Sequence, residues 1–532
     1  MTSGRTKMIG MSRIKTTIIL IFASLFIASS ILYSAPLRPD IAEKLKQEDK
    51  FENYKQSMRE LRQIGLNAPS QSKFKRTVIS QGAGPDTMKA VVLLLEFPDN
   101  PANDVLYVSP EYFDTLFNFE GDWQDGSMRE FYDENSRGQF VFMADVYGWY
   151  MMDSTYDYYV DSNRGFNHDP PQNAQGMVWD ALVLTDGEID YSQYDNDGDN
   201  YVDALILVHA GAGYEETGDV TMIHSHKWFM PSTFVSNDGV YLRDYNMNPE
   251  QSPIGQFNNV EYEPVSIGVF CHEFGHTLGL PDLYDTDYSS TGVGNWSLMA
   301  SGSYNGNSKS PAHLDAWCKK EMGWINPDVI ETSVRDHEFP ESITSGYAAK
   351  LWTNGDSTGN EYFLIENRQK KGFDSKLPGE GLLIWHVDES QWTNQNEYNY
   401  LVALEQADGK FQMEEGGGSD LNDPYPGGMS VREFSETTVP STLGNPYFVV
   451  DDGDSIVMRD STFTAVWNIS DSDSLMYASL DVNYTRPRYE LVDYFVTEIS
   501  GDGDDFIEPG ETHGLSVTVA NYRADAQDVY LY

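Results

Sequence analysis

Cys271-His272-Glu273-Phe274-Gly275-His276-Thr277-Leu278-Gly279-Leu280-Pro281-Asp282 is the stretch on which the reading of this chain turns. At helical spacing, Ile267, Phe270, Cys271, Phe274 and Leu278 share one apolar face, and His272 and His276 lie on the opposite one. One turn apart, the two imidazoles can face a single Zn²⁺, and Glu273 beside them can act as general base. Gly279 suits the left-handed residue that ends such a helix, and the reversal after it can return Asp282 as a third ligand. Three protein ligands leave a fourth position open, which is the requirement of a catalytic zinc rather than a structural one. A later glutamate, Glu321, is the alternative third ligand, but the Gly279-to-Asp282 spacing favours the aspartate.

Working outward, Ala90 to Phe97 is a continuous apolar run closed by Pro98-Asp99, as expected of a strand buried on both faces, and Tyr201 to Val208 is a second. Ser127 to Asn135 and Asn173 to Leu184 have helical spacing. Asp238-Gly239 between two apolar pairs predicts a hairpin. From about residue 331 the pattern turns to short strands, such as Tyr362 to Ile365 and Gly381 to His386, separated by Gly, Asn and Asp turns.

The zinc helix, Ser127-Met128-Arg129-Glu130-Phe131-Tyr132, Asp195 to Gly211, Trp296 to Gly302, the Pro311 to Trp324 segment and Tyr362 to Arg368 together resemble the immune inhibitor A family of secreted metallopeptidases, in the metzincin group. The resemblance spans roughly residues 86 to 480. It implies an α+β metzincin-like catalytic domain, zinc on His272, His276 and Asp282, Glu273 as general base and Met299 as the Met-turn beneath the metal. Some metzincins place a tyrosine two residues after that methionine, where Ser301 stands here; Tyr284 and Tyr304 are read as packing aromatics near the site. His224, His226 and His386 are read as structural histidines.

Asp195, Asp197, Asp199 and Asp203 occupy positions 1, 3, 5 and 9 of an EF-type loop, with the Tyr201 carbonyl at position 7. Hard oxygen donors at that spacing suit Ca²⁺. Position 12 is Ile206, so a bidentate acid there is missing. A second acidic cluster, Asp502, Asp504, Asp505, Glu508 and Glu511, is weaker.

The whole chain, 532 residues with a formal charge of −48, is too acidic to court nucleic acid or anionic membranes and, at 13% aromatic residues, too apolar for a disordered acidic segment. Two cysteines, Cys271 and Cys318, exclude a disulfide framework and a thiolate cluster and leave their own pairing open. Residues 1–35 carry four basic and no acidic residues before an apolar run from Ile18 to Leu32, a signal peptide cut between Ser30 and Ala35, with an uncleaved anchor as the alternative. Residues 36–85 carry about +4 against −56 for residues 86–532 and read as a propeptide, with Lys75-Arg76 as a processing point. With no Cys or His between 36 and 85, such a propeptide has to block a metal through a carboxylate or by covering the cleft.

The expected order is signal peptide 1–35, propeptide 36–85, catalytic domain 86–330, β-rich domain 331–485 and the start of a β-sandwich at 486–532. The expected product is a secreted, extracellular zinc endopeptidase acting on protein or peptide substrates, made as a zymogen. The rival reading is an adhesion or binding protein on a metallopeptidase scaffold, against which the intact Glu273 argues.

Overall fold

The structure is a computed structural model that describes residues 33–63, 86–102, 108–121, 126–166, 170–254, 261–352, 359–451, 454–482, 489–500 and 512–521. The apolar run at 90–97 lies in a strand, β2 (Asp86–Glu96), and its neighbours in the central sheet are β1 (Tyr33–Ser34), β3 (Phe140–Met151), β4 (Leu205–Ala212), β5 (His226–Val235), β6 (Tyr241–Ile254) and β7 (Glu261–Pro264). The order across the sheet is β1-β5-β6-β4-β2-β3, with β7 also paired to β6. β3, β2, β4 and β6 run parallel, whereas β5 and β1 are antiparallel additions that form one edge.

Alternation along β2 explains why it is apolar throughout. Ala90, Val92 and Leu94 enter one core with Phe270, Phe274 and Trp324, and Val91, Leu93 and Leu95 enter the other with Met177, Val178 and Leu182. Helices therefore cover both faces, in a mixed α/β arrangement. The helix expected from Ser127 spans Met128–Ser136 and opens with a capping box, in which Ser127 Oγ accepts the Glu130 amide at 3.1 Å and Glu130 Oε2 accepts the Ser127 amide at 2.9 Å. Helix Ala174–Thr185 matches the expected span, and the Asp238-Gly239 turn joins β5 to β6 as read. The strand expected from Tyr201 begins later, at Leu205, because Asp195 to Asp203 are occupied by a loop whose carboxylates accept its own amides.

Beyond residue 330 a five-stranded sheet holds strands Glu361–Arg368 and Gly381–Asp388 side by side. Its Tyr362, Leu364, Trp385 and Val387 enter the same core as the Cys271-bearing helix, while Phe363 and Ile365 face a second core with Phe434 and Leu480. Apolar packing is thus continuous across position 330. Strands Tyr489–Ser500 and Thr512–Asn521 pair antiparallel. Cys271 and Cys318 are both buried and free. No helix among the described residues is long and apolar enough to cross a membrane. The apolar run at 18–32, Lys75-Arg76 and the acidic cluster at 502–511 lie outside the described residues.

His386 is held between two carboxylates, 3.0 Å from Glu361 Oε1 and 3.0 Å from Glu405 Oε1. Burial opposes its charge, but the two acids prevail and raise its pKa from 6.5 to about 9. A folded-state pKa above the unfolded one contributes stability that is complete below about pH 6.5 and disappears as pH rises through about 9. His386→Gln should accordingly flatten the dependence of Tm on pH between those limits, measured by thermal melts across that range. An unchanged slope would mean that the imidazole is not charged in the folded protein.

Candidate active site

The helix that carries the two histidines spans Ile267–Thr277, wholly buried up to His276. Its Gly275 leaves room for Met299, whose Sδ would lie 2.5 Å from a Cβ there. Met299 therefore packs directly against the helix turn between His272 and His276. After the helix, Gly279 takes φ +98, the Leu280 amide returns to Gly275 O at 3.0 Å, and Asp282 swings back beside the histidines.

Three atoms converge there. His272 Nε2 and His276 Nε2 are 3.2 Å apart, and Asp282 Oδ1 is 3.2 Å from each. Each Nδ1 donates to a carbonyl, His272 to Leu298 O at 2.8 Å and His276 to Leu280 O at 2.8 Å, which leaves both Nε2 atoms as lone-pair donors turned inward. The carboxylate oxygens of Asp282 have no hydrogen-bond partner although the residue is buried. Three acceptors facing one another are mutually repulsive unless a cation lies between them. Donors about 2.0–2.1 Å from a tetrahedral Zn²⁺ stand about 3.3 Å from one another, so this donor set fits zinc. Glu321, the alternative ligand, instead accepts Lys320 Nζ at 2.6 Å.

Glu273 is fully buried, and neither of its oxygens has a hydrogen-bond partner. Burial pushes its carboxyl well above the usual carboxylate range, and the charge of Asp282 adds to that. Burial works against the charge of Asp282 too, yet the imidazoles of His276 and His272, when protonated, hold its pKa below the ordinary value, a role that passes to a cation when they are neutral. Two neighbouring carboxyls driven in opposite directions is the pattern of an acid–base group beside a ligand.

The segment around Ala35 lies across this site. β1 pairs antiparallel with the outer edge of β5, Ser34 opposite His226, and the Ala35 amide donates to Ser225 O at 3.1 Å. The main chain of Ala35 and of Lys227 lies beside the Glu273 carboxyl. Tyr284 donates to Ser34 O at 2.7 Å, Tyr304 donates to Pro36 O at 2.6 Å, and the Leu37 and Arg38 amides reach Tyr288 Oη at 3.1 Å and Glu215 O at 3.0 Å. Tyr284 and Tyr304, expected only to pack, thus place their hydroxyls on main-chain carbonyls. A pattern reading scores an aromatic ring as apolar area and cannot tell where its hydroxyl points. The position of Tyr284, two residues after Asp282, is the signal that was available.

His226 is structural as expected: its Nδ1 donates to His224 O at 2.7 Å, Nε2 accepts from Tyr245 at 3.1 Å, and burial lowers its pKa to about 4. His224 is buried with Nδ1 2.9 Å from Ser225 O, away from the converging donors. Of the proposed calcium ligands, Asp195, Asp197 and Asp203 come together, while Asp199 Oδ1 accepts the Tyr201 amide at 2.8 Å and stands outside that group. Burial, with Asp197 and Asp199 nearby, raises the pKa of Asp203 to about 6.

Fold and site together define a metallopeptidase-type catalytic domain. Residues 78–325 match the catalytic domain of the immune inhibitor A peptidases, family M6, and this part of the chain is similar to that family. The chain is 32% identical over 293 residues to the pre-pro-metalloprotease PrtV of Vibrio cholerae, covering 46% of this chain and 31% of the relative. It is 29% identical over 253 residues to immune inhibitor A of Bacillus thuringiensis subsp. alesti, covering 41% and 36% respectively. The match therefore spans about a third of each relative's length.

Proposed function

We propose that the protein is a secreted zinc-dependent endopeptidase, made as a zymogen, that hydrolyses extracellular proteins. The observation that carries this reading is the convergence of His272 Nε2, His276 Nε2 and Asp282 Oδ1 beside an unpartnered, buried Glu273. A zinc ion held by those three residues supplies Lewis acidity toward a peptide carbonyl and lowers the pKa of water. Glu273 Oε takes a proton from the attacking water and hands it to the leaving amine nitrogen. Tyr284 donates to the carbonyl oxygen as negative charge develops on it, as its hydroxyl does to Ser34 O. The β5 edge holds the substrate as an added antiparallel strand.

The course of residues 33–38 supports the zymogen reading, with the signal peptide cut before Tyr33, inside the Ser30–Ala35 window, so that these residues stay with the propeptide. No carboxylate lies among them, so the block works by covering the cleft. Helices Pro39–Gln47 and Phe51–Gln63 anchor it through Ile41, Leu45, Tyr54 and Met58, which enter the core that holds Tyr214. The test is casein digestion by secreted protein, with zinc analysis and N-terminal sequencing. Active material should contain about one zinc, lose activity to a chelator and begin after Arg76, whereas chains retaining residues 36–76 should be far less active. An active, chelator-resistant protein starting near Ala35 overturns both parts.

Calcium at Asp195, Asp197 and Asp203 completes the reading, since these exposed or half-buried charges repel one another without a cation. Calcium binding only the folded state stabilises it by about 2.7 kcal/mol at a hundredfold excess over Kd. Asp197→Ala should abolish the fall in Tm that a calcium-selective chelator produces. A wild-type response in that variant places any calcium elsewhere.

A further inference from the structure

Glu215 and Glu216 follow one another in the turn Tyr214–Thr217 after β4, both buried, with opposite fates. Glu215 is satisfied by the body of the protein: it accepts the Ser225 amide at 2.9 Å and Ser225 Oγ at 2.6 Å. Glu216, 2% exposed, has an Oε2 without any hydrogen-bond partner. Its Oε1 lies 3.6 Å from Arg38 Nη1, and among the described residues Arg38 is the cation in ion-pair reach.

Arg38 is the last residue of the extended run that crosses the cleft. Its amide donates to Glu215 O at 3.0 Å, and its guanidinium reaches Pro253 O at 3.0 Å as well as Asp40 Oδ1 at 2.7 Å. When residues 33–38 leave, the Ser225 and Glu215 carbonyls and the hydroxyls of Tyr284, Tyr288 and Tyr304 remain to receive another main chain in the same register. The Glu216 carboxyl and Pro253 O remain with them, two acceptors that Arg38 no longer meets. A basic side chain arriving at that position restores the charge pairing at Glu216, whereas a neutral or acidic side chain does not.

We infer that Glu216 is a specificity-determining residue that selects a basic side chain three residues beyond the substrate residue whose amide donates to Ser225 O. In the chain's own segment those two positions are Arg38 and Ala35. The inference rests on the proposed reading of residues 33–38 as a substrate-like occupant.

The probes are capped, labelled peptides Tyr-Ser-Ala-Pro-Leu-Arg-Pro and the same sequence with Gln or Glu in place of Arg. Their binding is measured by fluorescence anisotropy on secreted, processed protein stripped of metal, so that the readout is independent of turnover. The Arg peptide should bind at least tenfold more tightly than the Gln peptide, and the Glu peptide most weakly. Glu216→Gln should bring Arg and Gln within twofold by weakening the former alone. Quenched substrates built on the same sequences should show the preference in KM at similar kcat. Equal affinity for Arg and Gln in the wild type, or a preference that survives Glu216→Gln, overturns the inference while leaving the cleft reading intact. Failure of all three peptides to bind overturns the cleft reading and this inference with it. Should the variant not fold, the three-peptide ranking on the wild type decides alone.

Discussion

Glu273→Gln should retain its metal and lose peptide hydrolysis by about 10²–10⁴, the usual worth of a general base. The reasoning is geometric. The converging donors are His272, His276 and Asp282, and Glu273 is not among them. Its carboxylate is buried without a hydrogen bond, so the amide replacement breaks no structural contact and removes a buried ionisable group. Stability should hold or rise, separating a chemical loss from a folding one. His272→Ala is the comparison: two remaining donors hold zinc poorly, so metal and activity should fall together. Metal content by elemental analysis and kcat on one quenched peptide read both variants. Near wild-type turnover in Glu273→Gln at one metal per chain would remove this residue from the mechanism.

Arg368→Ala should lower the unfolding free energy by about 3–5 kcal/mol, the range for breaking one side of a buried ion pair. Arg368 is fully buried at the end of strand Glu361–Arg368, with Nε 2.7 Å from Asp374 Oδ2, Nη2 2.6 Å from Asp374 Oδ1 and Nη1 3.3 Å from Glu366 Oε1. Burial opposes the charge on Asp374, yet Arg368 and His313 hold its pKa down to about 2. A depressed carboxyl contributes stability above about pH 4 that is lost as pH falls through about 2, so Arg368→Ala should also weaken the acid-induced loss. The damage should reach the metal site. Asp374 Oδ1 accepts the His313 amide at 2.9 Å, His313 O accepts the Leu298 amide at 3.2 Å, and Leu298 O orients His272. Folded Arg368→Ala should therefore bind zinc more weakly, and Arg368→Lys should recover only part of the loss because one ammonium cannot serve both oxygens of Asp374. Denaturant unfolding with zinc titration checks this. A change below about 1 kcal/mol would show that water replaces the guanidinium.

His272, Glu273, His276 and Asp282 were legible because a helix repeats every 3.6 residues and a glycine reverses the chain three residues later; both are local rules that need no knowledge of the rest of the molecule. β2 was equally legible, since an unbroken Val/Leu run admits few places other than between two layers. The edge strand Tyr33–Ser34 was not, because two residues carry no periodicity and their pairing with His226 and Lys227 spans nearly two hundred residues. Nor could sequence distance reveal that Arg368 supports a histidine 96 positions earlier, through Asp374, His313 and Leu298. The converging donors, the place of Glu273 beside them and the acidic loop were determined by spacing along the chain. The course of residues 33–38, the directions of the tyrosine hydroxyls and the ion pair behind His272 were decided by tertiary packing, because hydrogen bonds and burial act between atoms close in space, however far apart they stand in sequence.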